Sequence, residues 1–391
     1  MVELYNRPHT RRDIAAHAGM LSQFAGVRLM TLADGLENGI RMLEFRTGTG
    51  FRFTVLIDRA MDVGDCEHRG MAIGWHSPAG FRSPGISNID AENGLGWLRS
   101  FSGLLATCGL DHALGPVEES AEHFNYPFRK TVPQPIHGRV GTVPARLTGY
   151  GERWEGDDCV LWCEGVAIQA TVFGENLHLI RRIEAKVGDS AFTIHDRVVN
   201  HGFYRTPHML LYHFNVGYPV LAEGSRYLAP IGDVLWAGHH ADYRKQGIGY
   251  RTQQGPQHPF REQVWEHDMV AGTDGVVPVA LVNDAIGFGV MLESRKAEMP
   301  CYLQWQNLQS GLYTLGLEPC THHVYGKTFA NERKEMIWLE HDDGREYHIR
   351  FSALDGADAI AAAGKRIAAI HAQPAEEYPE PSGKFPVLWK R

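Results

Sequence analysis

The sequence predicts an all-β protein built from antiparallel sheets, and three observations carry that expectation. Short runs of alternating or wholly apolar residues recur at roughly 10–15-residue intervals, punctuated by turn residues, with 43 Gly and 20 Pro spread throughout the chain. No helical pattern alternates with those runs, which argues against a parallel sheet wrapped in helices. The 391 residues, 43% hydrophobic and 21% charged, supply an ample core.

Taken in order, the chain opens with a peripheral segment, residues 1–34, in which Thr10 is placed to cap a short helix over residues 11–18. Residues 40–46 and 51–57 alternate in polarity around Thr47-Gly48-Thr49-Gly50, a hairpin signal. The charged cluster Asp58-Arg59-Ala60-Met61-Asp62 follows, either a functional loop or an ion pair that orders a turn. Residues 64–116 are rich in Gly, Ser and Pro, yet Trp75, Trp97 and Phe101 need burial, so the stretch reads as the wall of a site rather than a linker. Arg99, set among Gly, Ser and aromatic residues, is either a binder of ligand hydroxyls or carboxylate or an ordinary surface arginine. His137 precedes Gly138 in a Pro-flanked loop, where the glycine permits close backbone approach. Further strands are expected in 165–173, 177–187 and 192–200.

The stretch 206–219 is the centre of the sequence. As a strand it sets Met209, Leu211, His213 and Asn215 on one face and Leu210, Tyr212, Phe214 and Val216 on the other, both apolar enough to be covered. His213 and Asn215 must then find partners, because an unpaired buried polar group costs about 1–3 kcal/mol. The plain alternative is a satisfied core histidine. Residues 236–265, with His239, His240, Gln253, Gln254, Gln257 and His258, read as an exposed loop. Strands resume at 276–282, 287–292, 301–306 and 312–318, where Leu312, Thr314, Gly316 and Glu318 share a face and a carboxylate ends a packed strand. Trp338 and residues 346–351 add strands, 355–372 an Ala-rich helix, and the Pro/Glu-rich tail 374–386 is expected to drape over the surface.

A formal charge of −8 without a basic block excludes nucleic acid or an anionic membrane as the main partner. No stretch reaches the ~18–20 apolar residues of a membrane span, and the N-terminus lacks a signal-peptide core, so a cytoplasmic location is expected. The six cysteines are scattered and expected to be reduced; Cys159 and Cys163 have no second pair to complete a zinc site.

The succession Leu177-His178-Leu179-Ile180-Arg181-Arg182-Ile183, Phe192-Thr193-Ile194-His195-Asp196, Asn200 and Tyr212-His213-Phe214-Asn215 resembles the segment of aldose 1-epimerases (galactose mutarotases) that leads into their Asn-His-x-Tyr-Phe-Asn motif, here shortened to Tyr-His-Phe-Asn. Ile136-His137-Gly138-Arg139 resembles the Leu-His-Gly-Gly loop of that family, and Gly316-Leu317-Glu318-Pro319 the strand end that bears its essential glutamate. Overall the chain is similar to a branch of the galactose mutarotase-like superfamily known as a domain of unknown function. The resemblance implies an antiparallel β-supersandwich over residues 35–352, with few peripheral helices and with 1–34 and 353–391 as additions. It further implies an open groove on one sheet face and no required cofactor or metal. His213 and Glu318 are the implied catalytic residues, and His137, Arg139 and Asn215 stand at the matching motif positions as implied substrate contacts; Gln304 or a residue of 236–265 would substitute for a sugar-holding aspartate that has no counterpart here, and Arg99 is a further candidate contact on its own surroundings.

The chemistry suits these groups. Interconverting anomers takes a proton from the anomeric hydroxyl and gives one to the ring oxygen; Glu318 as base and His213 as acid, one on each side of the ring, suffice. Trp75, Trp97 or Trp305 are candidates to stack on the pyranose. A lactonase or lyase on the same fold, a carbohydrate-binding protein, and a metal-dependent isomerase using His208, His213, His322 and His323 remain alternatives. The expected partner is a small carbohydrate or sugar derivative, and a homodimer is left open.

Overall fold

The computed structural model describes residues 1–238, 245–323 and 325–372. Every pairing in its three largest sheets is antiparallel. An eight-stranded sheet runs in the order Arg146–Glu155, Asp158–Ala170, Asn176–Lys186, Ala191–Asn200, Gly344–Asp355, Phe288–Arg295, Val276–Asn283, Arg226–Leu228. A seven-stranded sheet contains Ile231–Ala237, Gln263–Met269, Cys301–Asn307, Thr314–Cys320, Thr206–Val216 and Ile337–Leu339, with Leu105–Leu110 also paired to Thr206–Val216. A five-stranded sheet spans Gly26–Thr31 to Met71–Ala72 and contains the expected hairpin, Arg41–Arg46 with Phe51–Leu56.

The core lies between these layers. Phe192 and Phe351 of the eight-stranded sheet meet Phe214 and Leu317 of the seven-stranded one, Phe214 and Phe351 stacking at 5.5 Å. Thr206–Val216 is buried at every position, because its second face is covered by a separate cluster of Trp75, Trp97, Phe101, Met209, Leu211 and Leu303. A strand covered on both faces is continuously apolar except where a polar group has work to do.

Helices are peripheral. Arg11–His17 is capped as expected: Asp13 N donates to Thr10 Oγ1 at 3.1 Å and Thr10 N to Asp13 Oδ2 at 3.0 Å, which satisfies two of the donors a helix start leaves open. Ala357–Ile370 lays Ile360, Ala363 and Ile367 on the outside of the eight-stranded sheet. Gly326–Glu332 is a helix that the sequence pattern did not predict. Among the described residues no helix is long and apolar enough to cross a membrane.

The expectation of an exposed loop over 236–265 is corrected. Trp236 and Ala237 end a buried strand, Gln253 is buried, and Gln263–Met269 lies inside the seven-stranded sheet. The polar side chains are spent internally: Gln306 Nε2 donates to Gln253 Oε1 at 2.8 Å, and Gln253 Nε2 and Gln304 Nε2 donate to Tyr250 O at 2.8 and 2.9 Å. A Gln-rich segment enters a core when its amides find carbonyls there. His239, His240 and the tail 374–386 lie outside the described residues.

Candidate functional site

Two neighbouring strands bring the principal residues together. Thr206–Val216 pairs with Thr314–Cys320 in a register that opposes Leu211 to Cys320 and Phe214 to Leu317, and this sets His213 across from Glu318. His213 Nε2 lies 3.2 Å from Glu318 Oε1, and the residues are 3% and 4% exposed. The distance is that of a hydrogen bond but the alignment is not, which leaves Glu318 Oε1 without a partner; the ring's other nitrogen, Nδ1, is likewise buried without a well-formed hydrogen bond. Gly316 makes room for the pair: a Cβ there would fall 2.3 Å from Glu318 Oε1 and 3.2 Å from His213 Cε1.

His137 is the third member. Its φ of 59° and that of Gly138 at 72° turn the loop sharply, and a Cβ on Gly138 would sit 2.2 Å from the carbonyl oxygens of Gly109 and His112. Glycine is therefore required at 138. The close approach foreseen there is to the protein's own backbone, and it presses the His137 ring to 5.7 Å from that of His213. Aromatic rings enclose the group: Phe101 at 4.8 Å, Trp305 at 5.3 Å and Trp97 at 6.1 Å from the His213 ring, with Trp75 against Phe101 and Trp305. Residues 64–116 thus wall the site.

This enclosure sets the electrostatics. Burial, then the charge of Glu262, pushes the Glu318 carboxyl up to about 8. Burial, then the nearby His137, holds His213 well below the ordinary imidazole range, and burial pushes His137 down to about 3. The contact has the distance of an ion pair, yet desolvation favours the neutral forms of both groups, which favours the proton on Glu318 over the ionised pair. The two groups sit side by side rather than on either side of a ring-sized space. That suits two oxygens on one carbon.

Asn215 lies beside the pair on the same face; its Nδ2 donates to Gly103 O and His213 O at 3.1 Å each, and its Oδ1 has no partner. The other expected contacts fall elsewhere. Arg99 is exposed and paired with Glu92. Arg139 donates from Nη1 to Gln134 Oε1 at 2.7 Å and from Nη2 to Asp90 Oδ1 at 2.9 Å and Pro133 O at 2.7 Å, so its fork is occupied in bracing the His137 loop. Gln304 lies opposite Leu317 and hence on the core face of its strand, bonded to Tyr250 and to His267 at 3.1 Å; its neighbours Leu303 and Trp305 face the site. His208 and His322 do not join His213: His208 bonds Leu110 O and Tyr347 Oη, and His322 bonds Thr321 and Glu335 O. Cys159 and Cys163 are buried free thiols pushed up to about 12 by burial, unsuited to metal.

Sequence reasoning missed two groups. Beneath the His137 loop a buried Lys327 lies 3.5 Å from Asp111, which also accepts from Gln134 and Gln169 at 2.8 and 2.6 Å; against burial, Lys327 and Arg139 hold Asp111 at about 2. Glu266, Cys301 and His323 form the second. Neither has a local sequence signal.

The sequence matches the family described as Domain of unknown function (DUF4432) over residues 37–353. No curated protein gives a significant match. Among solved structures, a candidate aldose 1-epimerase from Klebsiella pneumoniae subsp. pneumoniae superimposes with a TM-score of 0.82 at 25% identity, covering 92% of this chain and 91% of that one. A galactose mutarotase-like protein from Clostridium acetobutylicum gives a TM-score of 0.56 at 12% identity over 85% and 99% of the two chains. The Slr1438 protein from Synechocystis sp. PCC 6803 gives 0.56 at 15% over 83% and 99%. The fold is galactose mutarotase-like, an antiparallel β-supersandwich with few peripheral helices.

Proposed function

The chain belongs to the DUF4432 family, and from that premise we propose that it is a carbohydrate isomerase of the aldose 1-epimerase kind, acting on the anomeric centre of a monosaccharide or sugar derivative. The observation that carries the reading is the buried His213–Glu318 contact at 3.2 Å within an aromatic enclosure. Residues 35–352 form the carbohydrate-active unit in this proposal, the reaction needs no cofactor, and six free thiols accord with a cytoplasmic location.

The anomeric hydroxyl and the ring oxygen share one carbon, so a pyranose lying over the pair presents one oxygen to each group. Glu318 as carboxylate takes the hydroxyl proton; the electrons of that O–H bond form the carbonyl, the carbon to ring-oxygen bond breaks, and the ring oxygen takes a proton from His213. Rotation about the adjacent carbon–carbon bond and the reverse transfers close the ring on its other face. The ionised pair this needs differs from the resting one by a single proton moved between the two side chains. Trp97, Phe101 and Trp305 offer apolar faces to the sugar, while His137 and Asn215, each with a buried unpaired atom, are placed to bond its hydroxyls.

The directions of the two shifts favour a second assignment of roles, in which protonated Glu318 gives its proton to the ring oxygen and neutral His213 takes that of the hydroxyl. Both assignments need a single proton on the pair, so in either case kcat/KM falls as pH rises through about 8. Anomer exchange across a panel of aldoses, followed by polarimetry or NMR, tests the function itself. Wild type accelerates exchange of at least one aldose, and Glu318→Gln and His213→Asn each lower turnover at least ~10²-fold while folding normally. Full activity in Glu318→Gln removes the proposed pair.

A further inference from the structure

The face of the seven-stranded sheet that carries His213 and Glu318 carries a second cluster of reactive groups. Leu303 lies opposite Glu318 on one side and opposite Glu266 on the other, so Glu266 shares their face. Cys301 and Cys320, opposite each other and two positions along from Leu303 and Glu318, share it too. His323 follows directly from the end of that strand. Its Nδ1 lies 3.6 Å from Cys301 Sγ and in contact with Glu266 Oε1, and one donor atom from each of the three residues falls within 4.8 Å of the other two. Glu266 is fully buried, and its Oε2 has no partner among the described residues. A carboxylate buried on those terms is costly unless something else completes it.

We propose that Glu266, Cys301 and His323 form a zinc site. A thiolate, an imidazole and a carboxylate are the donor set of zinc rather than of calcium or magnesium, which take oxygen alone. Zinc bonds sulfur at about 2.3 Å and nitrogen at about 2.0 Å, which places the two about 3.5 Å apart in a tetrahedron; Cys301 Sγ and His323 Nδ1 stand at 3.6 Å, while Glu266 Oε1, hydrogen-bonded to Nδ1, moves outward as the metal displaces that proton. The other imidazole nitrogen, Nε2, faces the exposed Glu335 Oε2 at 4.0 Å, an ion-pair distance beyond hydrogen-bond reach. Cys320 Sγ donates to His322 O at 3.2 Å, which leaves the fourth position to an exchangeable ligand. The proton exchange proposed for His213 and Glu318 does not require this metal, and the site stands or falls apart from it.

The test uses the full chain, purified under reducing conditions, incubated with zinc chloride and desalted, with metal content read by mass spectrometry. Stoichiometric zinc is expected, and replacement by cobalt should give the thiolate-to-metal charge-transfer band of a cysteine ligand. Cys301→Ser and Glu266→Gln should each weaken zinc binding at least ~10-fold, the low end for losing even a group that only orients a ligand. His195→Ala, in the exposed cluster of His195, Glu346 and His348, should leave it unchanged. Substoichiometric zinc, zinc retained in Cys301→Ser, or zinc lost in His195→Ala overturns the proposal. So does thiol titration that finds Cys301 and Cys320 joined as a disulfide. Should Cys301→Ser fail to fold, the absence of the cobalt band in wild type is decisive against it.

Discussion

The two faces of Thr206–Val216 are equally buried and differently finished. On the face towards the eight-stranded sheet, every polar side chain of this strand is paired: His208 bonds Leu110 O and Tyr347 Oη at 2.7 Å each, and Tyr212 Oη donates to Asp196 Oδ2 at 2.6 Å. Asp196 in turn receives Arg181 Nε and Nη2 at 2.9 and 2.7 Å, and Arg181 Nη1 reaches Asp62 at 3.2 Å. On the opposite face His213 Nδ1 and Asn215 Oδ1 are buried without a well-formed hydrogen bond, the Asn215 side chain only weakly favouring the protonated His213 ring. Charge density is therefore a poor guide to function along this strand, since the more charged face is the structural one. Incomplete bonding marks the other as a place for a ligand.

Breaking the structural face gives the largest expected effect. Arg181→Met leaves Asp196 and Asp62 buried without their cation and should destabilise the fold by about 3–5 kcal/mol, read as a lowered denaturation midpoint. On the other face Glu318→Gln should cost about 2.7 kcal/mol of transition-state stabilisation, the equivalent of ~10²-fold in turnover, with no loss of stability. Because the folded Glu318 carboxyl is held above its unfolded value, its own contribution to stability is fully present below the ordinary carboxylate range and is lost as pH rises through about 8. Glu318→Gln should flatten that decline, so its melting temperature at pH 9 exceeds that of wild type. A variant equally weakened at every pH breaks the comparison. Gly316→Ala, whose Cβ collides with Glu318 Oε1, should cost about 2 kcal/mol by overpacking, with a larger fall in kcat than rise in KM because the pair is displaced. Tyr212→Phe is the mildest: about 1.5 kcal/mol, the low end for a bond to a charged group, with turnover unchanged.

Most strands, the Thr10 cap and the wall formed by Trp75, Trp97 and Phe101 were legible because period, turn residues and cap chemistry are local. The pairing of His213 with Glu318 was legible only through three separated landmarks. Gln304 shows the limit. Its type suits a sugar contact, but whether position 304 or its neighbours 303 and 305 face the groove depends on the register with Thr314–Cys320, which no local pattern encodes. The ion pairs of the Asp58-to-Asp62 cluster run outside it rather than within the turn: Asp58 accepts Arg41 Nε at 3.0 Å, and Asp62 anchors Arg181. The residues of the Glu266, Cys301 and His323 cluster stand 22 and 57 positions apart from His323, and only the order of three strands brings them together.

The placement of His213 and Glu318 on hydrogen-bonded neighbouring strands has an evolutionary consequence. Their separation can change only if the strands slip in register, and a slip of one residue would turn every side chain of Thr206–Val216 to its other face. If His213 and Glu318 act as the proposed acid and base, they are inherited as a single unit, aligned before any ligand arrives and leaving little ordering for the substrate to induce. On the same proposal, divergence towards other sugars is channelled into the segments above the pair, residues 75–101 and 133–139, which lie largely in loops. On that reading chemistry is conserved by the sheet while selectivity drifts in the connections, and a library confined to those two segments, with His137 and Gly138 kept, should change which aldose is accepted more than how it is turned over.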